Sequence, residues 1–418
     1  MLKYQLPMLS CYKNQSKSTK EKSVVGKECI VFPTYAYRNP QVPSEWIIQS
    51  KGWTVSFEKE LDLKRRLLKF ITKCISGKLE GNPLFDRRFK YFLAKGNKHR
   101  SLRLQVTDDM GKLIQPFTLR SSDNGLFSAQ LHLPDSPTRP LTHLWLREVN
   151  KKDRRRPMGA YDGWISLIEP DGVSVISDID DTIKQTHVTS GARTVLNNTF
   201  FCPSQPVPGM AAHYRQWYQL GISFHYVSNS PIQLARMLLN FLQNHQFPPG
   251  SLHLRDLQHI LSELIEPPGQ SKIETIRAIL KDFPHRQFVL IGDSGESDLD
   301  VYTQIATEFP QQILKIYIRH VPTEPTEVQT DSNKIMVESD QVNFDPTDIQ
   351  QTKEETQESI KPTTQLASLV IPEPVTAILP QMSSSEAELR ERVAEAQKLL
   401  SDVDIVLFEH VNELEIKK

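Results

Sequence analysis

Between Gly172 and Val321 the chain repeats one pattern, a short apolar run of β character followed by a helical stretch. The runs are "GVSVIS", "ISFHYVS", "FVLIGDS" and "ILKIYIR". Helical patterns fall between them, at Pro208 to Leu220, Pro231 to His245 and Lys272 to Lys281. Strands that read as continuous apolar runs are buried on both faces, and alternation with helices predicts a parallel sheet wrapped by helices. Ligands of such sheets sit at the carboxyl ends of the strands, so the residues following each run carry the functional argument.

The first run ends in "SDIDDTIK", which places Asp178 and Asp180 two residues apart, with Asp181 and Thr182 behind them. Carboxylates so spaced at a strand end can both reach the crevice, although an acidic turn alone reads equally well. The second run ends in Ser228-Asn229-Ser230, whose hydroxyls and backbone N–H groups suit phosphate oxygens or a cap for the next helix. Lys272 opens a helix, where a positive charge is unfavourable unless an anion lies beside it. The third run is followed by Asp293, Glu296, Asp298 and Asp300 around Gly292 and Gly295. Hard oxygen ligands crowded in a tight turn suit Mg²⁺.

Order and spacing narrow these readings together. Fifty residues separate Asp178 from Ser228, 44 lie from there to Lys272, and 21 from Lys272 to Asp293. The arrangement Asp-x-Asp-x-Thr, then Ser, then Lys, then Gly-Asp with a following Asp resembles the four-motif layout of the haloacid-dehalogenase superfamily. Longer stretches are more specific: "GVSVISDIDDTIKQTHV", "SGAR", "NTFF", "PVPGM", "HYVSNSP", "FPPGSLHLRD", "IGDSGESD" and "IYIRHV". With "FPTYAYRNP" and "KGWTVSF" further upstream, they are similar to the fungal actin-patch phosphatidate phosphatase family over roughly residues 29–321. One departure is Ile232 after Ser-Pro, where that family leads one to expect a tryptophan facing lipid.

The resemblance implies a haloacid-dehalogenase-like Rossmannoid parallel sheet with a minimal cap. It also implies phosphatidate hydrolysis to diacylglycerol and phosphate through an aspartyl-phosphate. Asp178 would be the nucleophile and Asp180 the acid and base, with Thr182 completing the motif. Ser228, Asn229 and Lys272 would hold the phosphoryl oxygens. Asp178, the Asp180 carbonyl, Asp293 and Asp298 would surround Mg²⁺. By the same resemblance the partners are a phosphatidate-containing membrane surface and endocytic or actin-associated proteins. The place implied is the cytoplasmic face of a membrane, at cortical actin or endocytic sites. The stretches between motifs are nearly consumed by sheet and helices, which predicts an open site.

Elsewhere the sequence sets the surroundings. Residues 1–27 carry six lysines without a period and read as a disordered basic terminus. Residues 28–170 read as a β-sandwich-like domain, with an amphipathic basic helix at Leu63 to Ile75 that suits a membrane interface or the β-domain surface. Residues 171–321 form the catalytic domain. Residues 322–384 read as an acidic disordered linker. Residues 385–418 read as a helix with a seam of Leu389, Val393, Ala396, Leu400, Val403 and Leu407, expected to dock back on the protein. Lys+Arg 50 balance Asp+Glu 50 only in total. Residues 1–170 carry +15, residues 171–321 carry −3 and residues 322–418 carry −12. The basic front and the run "KKDRRR" suit an anionic leaflet. They suit nucleic acid too, but no aromatic-basic recognition module accompanies them, so a nucleic-acid partner is not expected. The remaining alternatives are a phosphatase for nucleic-acid ends or phosphoproteins and a lipid-binding adaptor.

Overall fold

The computed structural model describes residues 26–57, 83–108, 110–135, 143–149, 163–256, 269–321, 386–400 and 402–416. Residues 1–25 of the basic terminus, the Leu63–Ile75 stretch, the "KKDRRR" run, the acidic linker and Ser385 lie outside the described residues, whereas Gly26 and Lys27, expected in the disordered terminus, begin a strand.

The amino-terminal part is β-rich. Strands β1 (Gly26–Val31), β2 (Thr34–Arg38) and β3 (Glu45–Phe57) are followed by helix α1 (Pro83–Phe89). Strands β4 (Lys95–Gly96), β5 (Ser101–Thr107), β6 (Leu113–Arg120), β7 (Leu126–Pro134), β8 (His143–Glu148) and β9 (Gly163–Leu167) complete it. Among the described residues the nine strands are joined in one hydrogen-bonded network, antiparallel except where β2 meets β9. The reason is β3. Its 13 residues pair along one edge with β1 and β2 and along the other with β7 and β4. Val31, Ala36, Ile48, Leu104, Leu131, Leu146 and Ile165, from seven of these strands, fill one common core.

The second sheet has six strands, all parallel: β10 (Val173–Ser177), β13 (Ser223–Pro231), β14 (Ser251–Arg255), β15 (Gln287–Asp293), β16 (Ile313–Arg319) and β17 (Asp404–Phe408). Between β10 and β13 lie the short paired strands β11 (Lys184–Gln185) and β12 (Gln205–Pro206), with α2 (Ala192–Phe200) between them and α3 (Met210–Gln219) after them. Helices α4 (Ala235–Asn244), α5 (Gln270–Asp282), α6 (Asp298–Glu308) and α7 (Glu386–Leu399) follow in order. Alternation along the strands feeds two cores. Val175 and Val289 pack with Met210, Tyr214 and Trp217 on one face, while Ile176 and Leu290 pack with Ile276, Ile279 and Tyr302 on the other. The sheet order is β14-β13-β10-β15-β16-β17, so the chain leaves β10 in one direction and later returns to its other side. That reversal opens a crevice above the carboxyl ends of β10 and β15, where open α/β sheets bind ligands.

Ile232, the departure from the family's pattern, is buried with Ile30, Phe32, Trp53 and Val55, joining the second sheet to the first. Burying such a side chain contributes roughly 1.5–3 kcal/mol, a packing role rather than a lipid contact. The carboxyl-terminal segment does dock, but its helix stops at Leu399 and Asp404–Phe408 becomes an edge strand. Gln397 makes the switch: its side chain donates to the Leu400 and Val403 carbonyls and accepts from the Ile405 N–H. Leu389, Ala396, Leu400 and Val403 still reach one core, with Val393 and Leu407 packed against it, so the seam was read correctly and its geometry was not.

Candidate active site

Asp178 is the first residue beyond β10, and its N–H is fixed by the Ile291 carbonyl of β15 at 2.8 Å. Its side chain is fully buried. Lys272, in the first turn of α5, donates to Asp178 Oδ1 at 2.8 Å and also to Asp298 Oδ1. The anion that the lysine's position called for is therefore a pair of carboxylates. Asp298 turns its other oxygen to the Asp293 N–H at 3.2 Å. That approach requires Gly292, because a Cβ there would stand 2.2 Å from Asp298 Oδ2.

Asp180 faces a different set of groups. Its Oδ1 accepts from Lys184 Nζ at 2.9 Å and Thr186 Oγ1 at 2.6 Å. Its Oδ2 accepts from Ser230 Oγ at 2.7 Å and Ser228 Oγ at 3.3 Å. Burial pushes this carboxyl up, but the Lys184 ammonium and these hydrogen bonds outweigh burial and bring it down to about 2. The turn is set by Asp181, left-handed at φ 53, whose carboxylate accepts the N–H groups of Thr186, His187 and Val188. Thr182 is buried, and its hydroxyl has no partner among the described residues. Asn229, at the end of β13, donates to Glu296 Oε2 at 2.8 Å, in the loop after β15.

Charge in the crevice is unbalanced. One oxygen from each of Asp178, Glu296 and Asp298 lies within 4.8 Å of the others. Lys272 is the cation between them, its pKa held well above the usual lysine range because Asp178 and Asp298 overcome the effect of burial. Asp178 and Asp293 are pushed well above the usual carboxylate range by burial first; Lys272 opposes this at Asp178, and neighbouring carboxylates add to it at both. Glu296 is pushed up to about 7, mainly by burial, with Asp298 adding to it. Asp178 Oδ2 and Asp293 Oδ2 are buried without a partner among the described residues. Buried carboxylate oxygens with neither proton donor nor cation are costly, so the donor set fits a hard divalent ion.

The sequence-derived residues thus divide. Asp178, Lys272, Asp293 and Asp298 come together; Ser228 and Asp180 sit beside them as one hydrogen-bonded group. Asp300 does not join: it lies on the outer side of α6 and pairs with Arg392 at 3.0 Å. Sequence reasoning missed Lys184, Thr186 and Ser230 as holders of Asp180; Glu296, read there among the hard oxygen ligands though absent from the set the resemblance implied, does join Asp178 and Asp298. Lys184 was signalled only by sitting four residues after Asp180 in a turn. Asp178, Asp293 and Asp298 are all buried. The insertion after β10 contributes, with Thr189 directly against Gly295 of the acidic loop.

Residues 173–320 match the family described as the catalytic domain of phosphatidate phosphatase APP1. The phosphatidate phosphatase APP1 of Saccharomyces cerevisiae is 40% identical over 182 residues, covering 41% of this chain and 31% of that protein. An uncharacterized protein of Schizosaccharomyces pombe is 38% identical over 165 residues, covering 39% and 27%. The chain thus spans less than a third of the length of the curated relatives it matches. Among solved structures, a Parabacteroides merdae beta-glucuronidase overlays with a TM-score of 0.23 at 9% identity, covering 70% of this chain and 34% of that one. No argument rests on so distant a likeness.

Proposed function

We propose that the chain is a Mg²⁺-dependent phosphatidate phosphatase, with a haloacid-dehalogenase-like catalytic fold, working on lipid at a cytoplasmic membrane face. The observation that carries this reading is the buried excess of carboxylate around a single lysine at the sheet's reversal point. The APP1 family match supplies the substrate class. The +15 charge of residues 1–170 supports an anionic surface as the place of work.

Asp178, Glu296, Asp298 and Asp293 are the groups that would hold the ion, whose chemistry is to neutralise phosphoryl charge and orient the phosphate. Asp178 Oδ2, without a partner among the described residues, is the oxygen that attacks phosphorus; the bond from phosphorus to the glycerol oxygen breaks. Lys272 keeps Oδ1 occupied and remains to face the phosphoryl oxygens as charge shifts. Asp180, as held by Lys184, Thr186 and Ser230, is a carboxylate ready to take the proton of the water that cleaves the aspartyl-phosphate. Protonating the departing alkoxide asks Asp180 to arrive with a proton, and so to loosen its contact with Lys184 when substrate binds.

Phosphate release from phosphatidate in mixed micelles, compared with soluble phosphomonoesters and 3′-phosphorylated oligonucleotides, tests the reading. Release from the lipid that vanishes with a chelator and returns with Mg²⁺ is expected. Robust release from oligonucleotides with none from lipid would overturn it.

A further inference from the structure

The segment 386–416 lies outside the matched residues 173–320, yet it engages both faces of the catalytic sheet. On one face α7 crosses α6, with Leu389, Ala396, Leu400 and Val403 in the same buried cluster as Leu299, Tyr302 and Ile305. Arg392 adds the ion pair to Asp300, in the first turn of α6. β17 then pairs in parallel with β16 from Lys315↔Asp404 to Arg319↔Phe408. Past that edge the chain reaches the other face, where Leu414 is buried beside Tyr317. The Glu415 N–H donates to the Tyr317 hydroxyl at 2.9 Å, and that hydroxyl donates to the Glu415 carbonyl at 2.7 Å. Val411 presses on Gly209 so closely that a Cβ there would lie 2.6 Å from its Cγ1.

The helix clamped by this strap is the one that begins with Asp298. Asp298 holds Lys272 and the Asp293 N–H, and through Lys272 it is linked to Asp178. We propose that residues 386–416 are a positioning element for the active site, acting through α6 to hold Asp298 against Lys272. The inference rests on the phosphatase reading above. Undocked, the strap would leave in water the part of α6 that packs on α7, and a helix of 11 residues, held then only by α5, β15 and β16, has little intrinsic stability to hold its first turn in place. A catalytic constellation displaced by about 1 Å loses roughly a hundredfold in rate, so even partial loosening should register.

The test uses the full chain carrying Leu389→Asp and Val403→Asp, which set two charges into the docked seam. Amide exchange across Asp298–Glu308 should quicken at least about tenfold while β3 and β13 stay protected. On a soluble phosphomonoester, kcat should fall at least about tenfold with KM within about twofold. A synthetic peptide of residues 386–416 should restore both. Arg392→Ala, which spares the apolar seam, should lower kcat by about twofold at most. Loosened α6 with undiminished kcat would overturn the proposal. So would loss of protection throughout the sheet, which would make the strap a general stabiliser. If the unaltered chain releases no phosphate from any monoester, the phosphatase reading fails, whereas exchange and peptide rescue still report whether the strap sets α6.

Discussion

Two groups of buried polar side chains lie in the catalytic half of the molecule, and they resolve their burial in opposite ways. Where the second sheet meets the first, His225, Ser251 and His253 form a chain through the Ser251 hydroxyl at 2.8 and 2.9 Å. Beside it, Tyr35 and Gln49 donate to Asp282 at 2.7 and 3.0 Å. The atoms left over there are the ring nitrogens His225 Nε2 and His253 Nδ1, and burial keeps both rings neutral. At the carboxyl ends of β10 and β15 the atoms left over are carboxylate oxygens around one lysine. An unpaired neutral nitrogen costs little beside an unpaired charge. The first group therefore behaves as packing with hydrogen bonds, and the second presents the oxygens that the proposed cation would neutralise.

The comparison is most easily broken by substitution. Asp178→Asn should lower turnover by at least about 10³-fold, since it removes the attacking oxygen's charge. Its thermal midpoint should not fall, because it relieves a crowded cluster; a collapsed fold would show that Asp178 is structural. Lys272→Met should reduce turnover by about 10²–10³-fold and also cost about 3–5 kcal/mol in denaturant unfolding, by leaving two buried carboxylates without their partner. Unchanged stability would mean the carboxylates are not charged together.

pH separates the two groups by sign. In the cation-free protein Glu296 is pushed up to about 7, so its contribution is intact at low pH and is lost as pH rises through about 7. His225 is pushed down to about 3, so its contribution is intact at neutral pH and is lost as pH falls from about 6.5 toward 3. Unfolding measured across pH should lose the first slope in Glu296→Gln and keep the second; identical profiles for both proteins would remove Glu296 from the account. The smallest expected effect is Tyr35→Phe. It should cost about 1 kcal/mol and leave turnover within about twofold, and a large loss of turnover would tie the Asp282 group to catalysis.

Much of the site was legible because its residues follow apolar runs. "VSVIS" before Asp178 and "FVLIG" before Asp293 mark strands, and strand ends in a parallel sheet converge. Lys272 was legible as a charge on the wrong end of a helix. Lys184 and Ser230 were not, because a lysine and a serine in turns look alike whether or not they hold a carboxylate. Ile232 was read by contrast with a relative rather than by its own environment, which is a packed contact between two sheets. β17 escaped because Leu400, Val403 and Leu407 keep a helical spacing after the chain has turned at Gln397. Spacing identifies which side chains share a core and leaves the path between them open.

The central claim is that Asp178 carries the phosphoryl group. Acid-quenched enzyme taken during turnover of phosphatidate with Mg²⁺, digested and examined by mass spectrometry, tests this directly. A phosphorylated peptide containing Asp178, labile to hydroxylamine and absent from Asp178→Asn, is expected. Turnover that continues in Asp178→Asn, or phosphate found on another residue, would contradict it.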